Sequence, residues 1–200
     1  MAELAQAVVD GVRALSAWEA VAVLLAIGYL VLAIRQNRWC WPAALASAAI
    51  YLWLMFEARL YMQSALQLFY MGMAVYGWVR WRGGSGGASL AVRSWTWREH
   101  RVPLLLIILP GLALGWLLAG YSDAAHPYLD ALAATGAIVT TWMVAQKVLQ
   151  NWHYWFVIDL VSAGLYAAQG LWLTAVLFLF YLVLVVVGYR QWRASMVSHG

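Results

Sequence analysis

Residues 151–170, NWHYWFVIDLVSAGLYAAQG, form a run of apolar and aromatic residues that contains one carboxylate, Asp159. A run of about 20 mostly apolar residues can cross the hydrocarbon core of a bilayer as one helix. At about 1.5 Å per residue, Asp159 would lie roughly 13 Å deep, near the bilayer centre. A carboxylate at that depth costs about 2.5–3.5 kcal/mol to insert. The stretch therefore predicts a transmembrane helix with one costly polar group.

The rest of the chain is also rich in apolar residues and poor in charged ones. Of its 200 residues, 66% are hydrophobic and 10% are charged, whereas a soluble domain has about a quarter charged residues. We therefore expect a single transmembrane domain over residues 1–200, with the lipid bilayer as its surroundings. The net charge of +4 would fit nucleic-acid binding in a soluble protein. Here the basic residues flank apolar spans, so no nucleic-acid partner is expected.

Hydropathy predicts seven membrane spans. They lie near residues 17–34, 41–57, 60–80, 102–121, 128–146, 150–169 and 171–190. With this count, ten of the twelve Lys and Arg residues fall on one side of the membrane, and Arg13 and Arg59 fall on the other. Loops rich in Lys and Arg stay in the cytoplasm, which predicts an external N-terminus and a cytoplasmic C-terminus.

An internal repeat organises these spans. A shift of 111 residues aligns about 16–82 with about 127–193 without a gap. The matches of uncommon residues include Trp41 with Trp152, Tyr70 with Tyr181, Gly77 with Gly188, and Trp81 with Trp192. Each repeat crosses the membrane three times, so two parallel repeats need one additional crossing, which residues 102–121 supply. The predicted fold is an all-α membrane protein with a 3+1+3 arrangement, and such folds bind substrate between their repeats.

The sixth predicted span has the strongest candidate site. Trp152, Trp155 and Asp159 are spaced i, i+3, i+7, so they share one helix face. An aromatic face beside a carboxylate suits a flat, positively charged ring through cation–π attraction and ion pairing. Two other interpretations stay open. Asp159 could be a protonated or helix-bonded core acid, and the tryptophans could be interfacial anchors.

Five further candidates lie in the third, fifth and sixth predicted spans. Gln63, Gln67 and Tyr70 lie in the third span, and buried amides there must bond across helices or bind a polar ligand. Trp142 in the fifth span and Tyr166, which follows Asp159, are further possible lining residues.

No motif indicates an enzyme. The chain has no Walker A loop, dinucleotide-binding fingerprint or HExxH sequence. Its glycine tract, RGGSGG (82–87), is typical of a flexible linker. One cysteine and four scattered histidines do not form a metal-binding pattern. We therefore expect neither a cofactor nor a metal site.

Three stretches resemble a known family. RQNRWCWPAA (35–44), ARLYMQSALQLFYMGMAVYGWVRW (58–81) and NWHYWFVIDLVSAGLYAAQGLWLTAVLFLFYLVLVVVGYRQW (151–192) are similar to the PnuC-type bacterial vitamin transporters, which include nicotinamide riboside carriers and thiamine-carrying relatives. The resemblance implies a 3+1+3 fold similar to an enlarged SWEET transporter, a homotrimer in the bacterial inner membrane, and facilitated diffusion with trapping by cytosolic phosphorylation. It also associates Gln67, Trp152 and Trp155 with the substrate path.

The sequence leaves the substrate open. Some nicotinamide riboside carriers of that family have an amide at the position of Asp159. A carboxylate there suits either nicotinamide riboside or thiamine, because both are cations. The leading hypothesis is a nicotinamide riboside uniporter, and thiamine is the second choice. A carrier of a small sugar or another neutral solute, and a membrane enzyme or scaffold subunit, are the alternatives from other classes.

Overall fold

The structure is a computed structural model that describes residues 16–57, 59, 61–82, 90–122 and 125–197, without the side chains of residues 61–63. Within these residues the chain forms seven long α-helices. They are α1 (Ala17–Ile34), α2 (Cys40–Glu57), α3 (Tyr61–Trp81), α4 (Arg101–Tyr121), α5 (Pro127–Ala145), α6 (Asn151–Ala168) and α7 (Trp172–Val197). The prediction of seven helices is confirmed, although α7 continues beyond its predicted end. The glycine tract predicted as a linker lies, apart from Arg82, outside the described residues.

Five of these helices are long and apolar enough to cross a membrane, which makes the protein a multi-pass membrane protein. They are α1, α2, α4 with the 3₁₀ turn before it (Trp97–Tyr121), α5 and α7. In the described part of the chain, α3 and α6 do not reach this hydropathy. These two helices carry Gln67 and Asp159, and their lower hydropathy reflects polar side chains along them.

Six helices form a closed ring. Helix α1 packs on α2, α2 on α3, α3 on α5, α5 on α6, α6 on α7, and α7 returns to α1. In this order α2 lies across the ring from α6. Helix α4 lies outside the ring and packs on α5. A Cβ atom on Gly111 or Gly115 would approach α5 side-chain atoms to 2.6 or 2.5 Å, so these glycines permit the close packing of α4 on α5.

The turns before α2 and α6 have the same backbone conformation. Gln36 and Lys147 have positive φ angles of 54° and 51°, which is uncommon for residues with a side chain. Each donates its N–H to a carbonyl three residues earlier, at 2.9 Å. The side chains also meet, since the Lys147 Nζ donates to the Gln36 Oε1 at 3.2 Å. The two turns are therefore joined at one end of the ring.

Four buried tryptophans extend from these turns into the ring. In this tryptophan chain, Trp41 contacts Trp81 and Trp152 contacts Trp192, each with ring centroids 5.4 Å apart, and Trp81 lies 6.1 Å from Trp192. The indole N–H of Trp81 donates to the Ala145 carbonyl at 3.1 Å, and that of Trp192 to the carbonyl of Ala33 at 3.0 Å. Edge-to-face aromatic pairs stabilise a packed core beyond the area that they bury. The tryptophan chain thus links the two halves of the ring.

Lys147 gives the first testable expectation, which concerns pH. Its side chain is 5% exposed, and its Nζ lies 4.7 Å from the centroid of the Trp81 ring. Burial lowers the pKa of the Lys147 ammonium below its usual value. The unfolded chain, with a pKa of about 10.4, thus binds this proton more tightly than the folded protein does. The stability that Lys147 contributes is therefore present above the unfolded pKa and is lost as the pH falls through the folded pKa.

We expect the melting temperature of the wild type, relative to Lys147→Met, to rise as the pH increases from neutral toward about 10. Thermal unfolding of both purified proteins across this range measures the difference. Arg98→Met, at an exposed position, serves as the control with a constant difference. A difference between wild type and Lys147→Met that does not change with pH would contradict this assignment.

Candidate functional site

The helix ring encloses a cavity of about 430 Å³, and all six of its helices contribute lining residues. This volume falls within the range of about 300–1,000 Å³ that is usual for small-molecule sites. The tryptophan chain reaches it, because Trp41 and Trp152 are among the lining residues. We refer to this space as the central cavity.

Helix α6 forms the charged wall of the central cavity. Asp159, Trp155 and Trp152 all line it, as expected for residues on one helix face. Asp159 is 4% exposed, and among the described residues its carboxylate has no hydrogen-bond or ion-pair partner. A buried carboxylate without a partner is costly, and a bound cation would offset that cost.

The wall across the ring, on α2, has small side chains. Ala44, Ser47 and Ala48 line the cavity there, followed by Tyr51. The Ser47 hydroxyl donates to the Ala22 carbonyl of α1 at 2.9 Å, so this hydroxyl serves the contact between α1 and α2. The α2 wall is therefore largely apolar and leaves space in front of Asp159.

Helices α1, α3 and α7 add aromatic faces and one amide. Gln67 and Tyr70 of α3 line the cavity, in the places that the sequence indicated. Tyr29 and Tyr181 also line it, and the sequence interpretation missed both. The 111-residue shift pairs Tyr181 with Tyr70, so the repeat contained a signal for it. Nothing comparable identifies Tyr29.

Three predicted site residues are not part of this set. Trp142 lines a different groove, beside α4, and its ring lies 6.0 Å from that of Trp95. Neighbouring helix positions differ by about 100° in direction, so Thr141 faces the central cavity while Trp142 faces away from it. Tyr166 stacks on the lining residue Phe178 with ring centroids 5.4 Å apart, but it does not itself line the cavity. The side chain of Gln63 lies outside the described residues.

The central cavity has one carboxylate and one amide, and four tyrosines also line it. The indole N–H groups of Trp41 and Trp152 are buried and have no acceptor within the described part of the chain. The Asp159 carboxylate, the Gln67 amide and the aromatic rings that line the cavity offer one negative charge, one amide and several aromatic faces. This combination suits a flat cation that also has oxygen acceptors. In the same described part, no group of three His, Cys, Asp or Glu side chains is placed to hold a metal ion.

Comparisons with known proteins agree on one family. The model of the nicotinamide mononucleotide transporter family matches residues 16–194. The riboflavin/roseoflavin transporter RibM of Streptomyces davaonensis is 28% identical over 173 residues, covering 84% of this chain and 81% of RibM. The nicotinamide riboside transporter PnuC of Escherichia coli is 22% identical over 171 residues, covering 72% of each chain. A crystal structure of the vitamin B3 transporter PnuC matches the fold with a TM-score of 0.73 at 20% identity, covering 98% of this chain and 89% of that one.

Proposed function

The chain belongs to the nicotinamide mononucleotide transporter family, and from this premise we propose that it carries nicotinamide riboside across the membrane by facilitated diffusion. The PnuC-type resemblance is confirmed, and so is the prediction of a transporter rather than an enzyme. The observation that carries the substrate proposal is the buried Asp159 carboxylate beside the Trp155 ring in the central cavity. A pyridinium ring would gain both an ion pair and a cation–π contact there.

For the architecture we propose two parallel three-helix repeats, over residues 16–82 and 127–193, with α4 as the connecting helix. Contacts that recur 111 residues apart support this arrangement. Trp41 packs over Gly77 as Trp152 packs over Gly188, and Gln36 and Lys147 have matching turns. The placement of α4 outside the ring is consistent with its connecting role. In such folds, the substrate binds between the repeats.

The proposal also covers the orientation of the protein in the membrane and the direction of net transport. Ten of the twelve basic residues lie on one predicted face, which supports a cytoplasmic C-terminus and an external N-terminus in a bacterial inner membrane. Net uptake would follow from cytosolic phosphorylation of the substrate. A homotrimer remains a prediction from the family resemblance.

Riboflavin is the second candidate substrate. The 28% identity to the riboflavin/roseoflavin transporter favours it, and the aromatic side chains that line the cavity would suit a fused ring system. A neutral flavin, however, gives the Asp159 carboxylate no counter-charge. Thiamine would pair with Asp159 through its thiazolium ring and is the third candidate. A small sugar has no charge to pair with the Asp159 carboxylate.

A pair of ligands with matched shapes tests the proposal. Nicotinamide riboside has a cationic ring, whereas its dihydro form has nearly the same size and a neutral ring. We expect purified protein to bind the cation at least about tenfold more tightly in calorimetry, since cation–π attraction at a desolvated site contributes about 2 kcal/mol. Equal affinity for the two forms, or binding of riboflavin alone, would contradict a cation site. Thiamine and riboflavin in the same assay rank the other candidates.

A further inference from the structure

The walls of the central cavity are related by the 111-residue shift. Trp41 and Trp152 both line it, and so do Tyr70 and Tyr181. Each of these pairs is separated by 111 positions and has the same residue in both halves. These two pairs place the same aromatic residues in both halves of the cavity wall.

Other pairs of lining positions differ between the two halves, and the largest differences in size and charge lie between α2 and α6. Ala44 on α2 corresponds to Trp155 on α6, and Ala48 corresponds to Asp159. All four residues line the central cavity. One wall thus has an indole and a carboxylate, whereas the matching wall has two methyl groups. The difference in side-chain volume leaves space on the α2 side.

Helices α2 and α6 lie on opposite sides of this space. Both line the central cavity, yet in the part of the chain that the structure describes they do not pack against each other. Helix α2 packs on α1 and α3, and α6 packs on α5 and α7. A ligand ring that stacks on Trp155 therefore has its other face toward Ala44 and Ala48.

We infer that Ala44 and Ala48 are specificity-determining residues that limit how large a ring the transporter accepts. This inference rests on the proposed function. The small side chains set the width between the α2 wall and the Trp155 ring, and that width must hold the ring whose charge pairs with Asp159. A larger side chain at either position reduces the width and excludes fused rings before single rings.

A graded series at one position tests this assignment. Ala48→Gly, Ala48→Val and Ala48→Leu change the volume step by step, and calorimetry with nicotinamide riboside and riboflavin reports the affinity for each. We expect Ala48→Leu to weaken binding of the ligand that the wild type prefers by about tenfold or more, since a hydrophobic pocket discriminates about 10–200-fold per methylene. We expect Ala48→Gly to shift the preference toward the larger riboflavin.

Ala46→Leu is the matched control, because Ala46 lies on the same helix with its side chain exposed. It should leave both affinities unchanged. Size-exclusion chromatography and melting temperatures identify any variant that does not fold, and Ala48→Val then gives a milder change with a severalfold loss expected. If wild type binds nicotinamide riboside and both Ala48→Val and Ala48→Leu bind it equally well, the inference is wrong while the proposed function stands. If wild type does not bind nicotinamide riboside, the proposed function fails, and the inference with it.

Discussion

Replacing Asp159 with asparagine should remove most of the affinity for a cationic ligand and leave the affinity for a neutral ligand of the same shape nearly unchanged. The side chains are almost isosteric, so the change removes the charge and keeps the volume. Loss of one partner of a desolvated charge pair costs about 2–5 kcal/mol, so we expect binding of nicotinamide riboside to weaken by about 30-fold or more. Calorimetry with nicotinamide riboside and its neutral dihydro form measures both affinities.

The same variant should be at least as stable as the wild type. Asp159 is 4% exposed, and its carboxylate has no partner among the described residues, so its removal relieves the cost of a buried unpaired charge. Asp130→Asn, a change outside the central cavity, serves as the control for removal of a carboxylate. An Asp159→Asn variant that is well folded and binds the cation as tightly as the wild type would remove Asp159 from the site.

Much of the helical framework could be predicted because it depends on local sequence. Apolar runs fix where each helix lies, and charged or turn-forming segments separate them. The common face of Trp152, Trp155 and Asp159 also follows from local geometry, since helical spacing determines it. These three residues line the central cavity as that spacing indicated.

The faces of the other helices depend on packing that the sequence does not show. On the apolar helix α5 the sequence predicts Trp142 as a lining residue. The position of α4 outside the ring instead leaves Thr141 pointing inward. Tyr29 and Tyr51 resemble the interfacial tyrosines of many membrane helices, yet both line the central cavity.

Lys147 is another residue whose environment could not be predicted from the sequence. In the sequence it counts as one of the basic residues of a cytoplasmic loop, where a solvated side chain is expected. In the structure it is buried and donates to Gln36 of the matching turn. The shift of 111 residues aligns these two positions, but a pair of dissimilar residues in an alignment does not indicate a contact. The contact arises because the two turns meet at one end of the ring.

The last expectation concerns the two glycines beneath the tryptophans of the central cavity. A Cβ atom on Gly77 would lie 2.2 Å from the Trp41 indole, and one on Gly188 would lie 2.4 Å from the Trp152 indole. Neither indole can retreat easily. Trp41 and Trp152 are each 1% exposed, and each makes an edge-to-face contact with the next tryptophan of the chain.

We therefore expect Gly77→Ala and Gly188→Ala to lower the free energy of unfolding by about 1–3 kcal/mol each, because overpacking forces a tightly held side chain out of place. The control is Gly72→Ala, on the same helix as Gly77, where a Cβ atom would meet nothing within 4 Å. Since alanine favours a helix over glycine by about 1 kcal/mol, that variant should be as stable as the wild type or more so. Thermal unfolding of the purified proteins measures the stability of all three variants.

Because Trp41 and Trp152 also line the cavity, the two destabilised variants should bind ligand more weakly, whereas Gly72→Ala should not. Equal stability of Gly77→Ala and Gly72→Ala would mean that the tryptophans have room to move, and the central cavity would then lack the rigid frame described above.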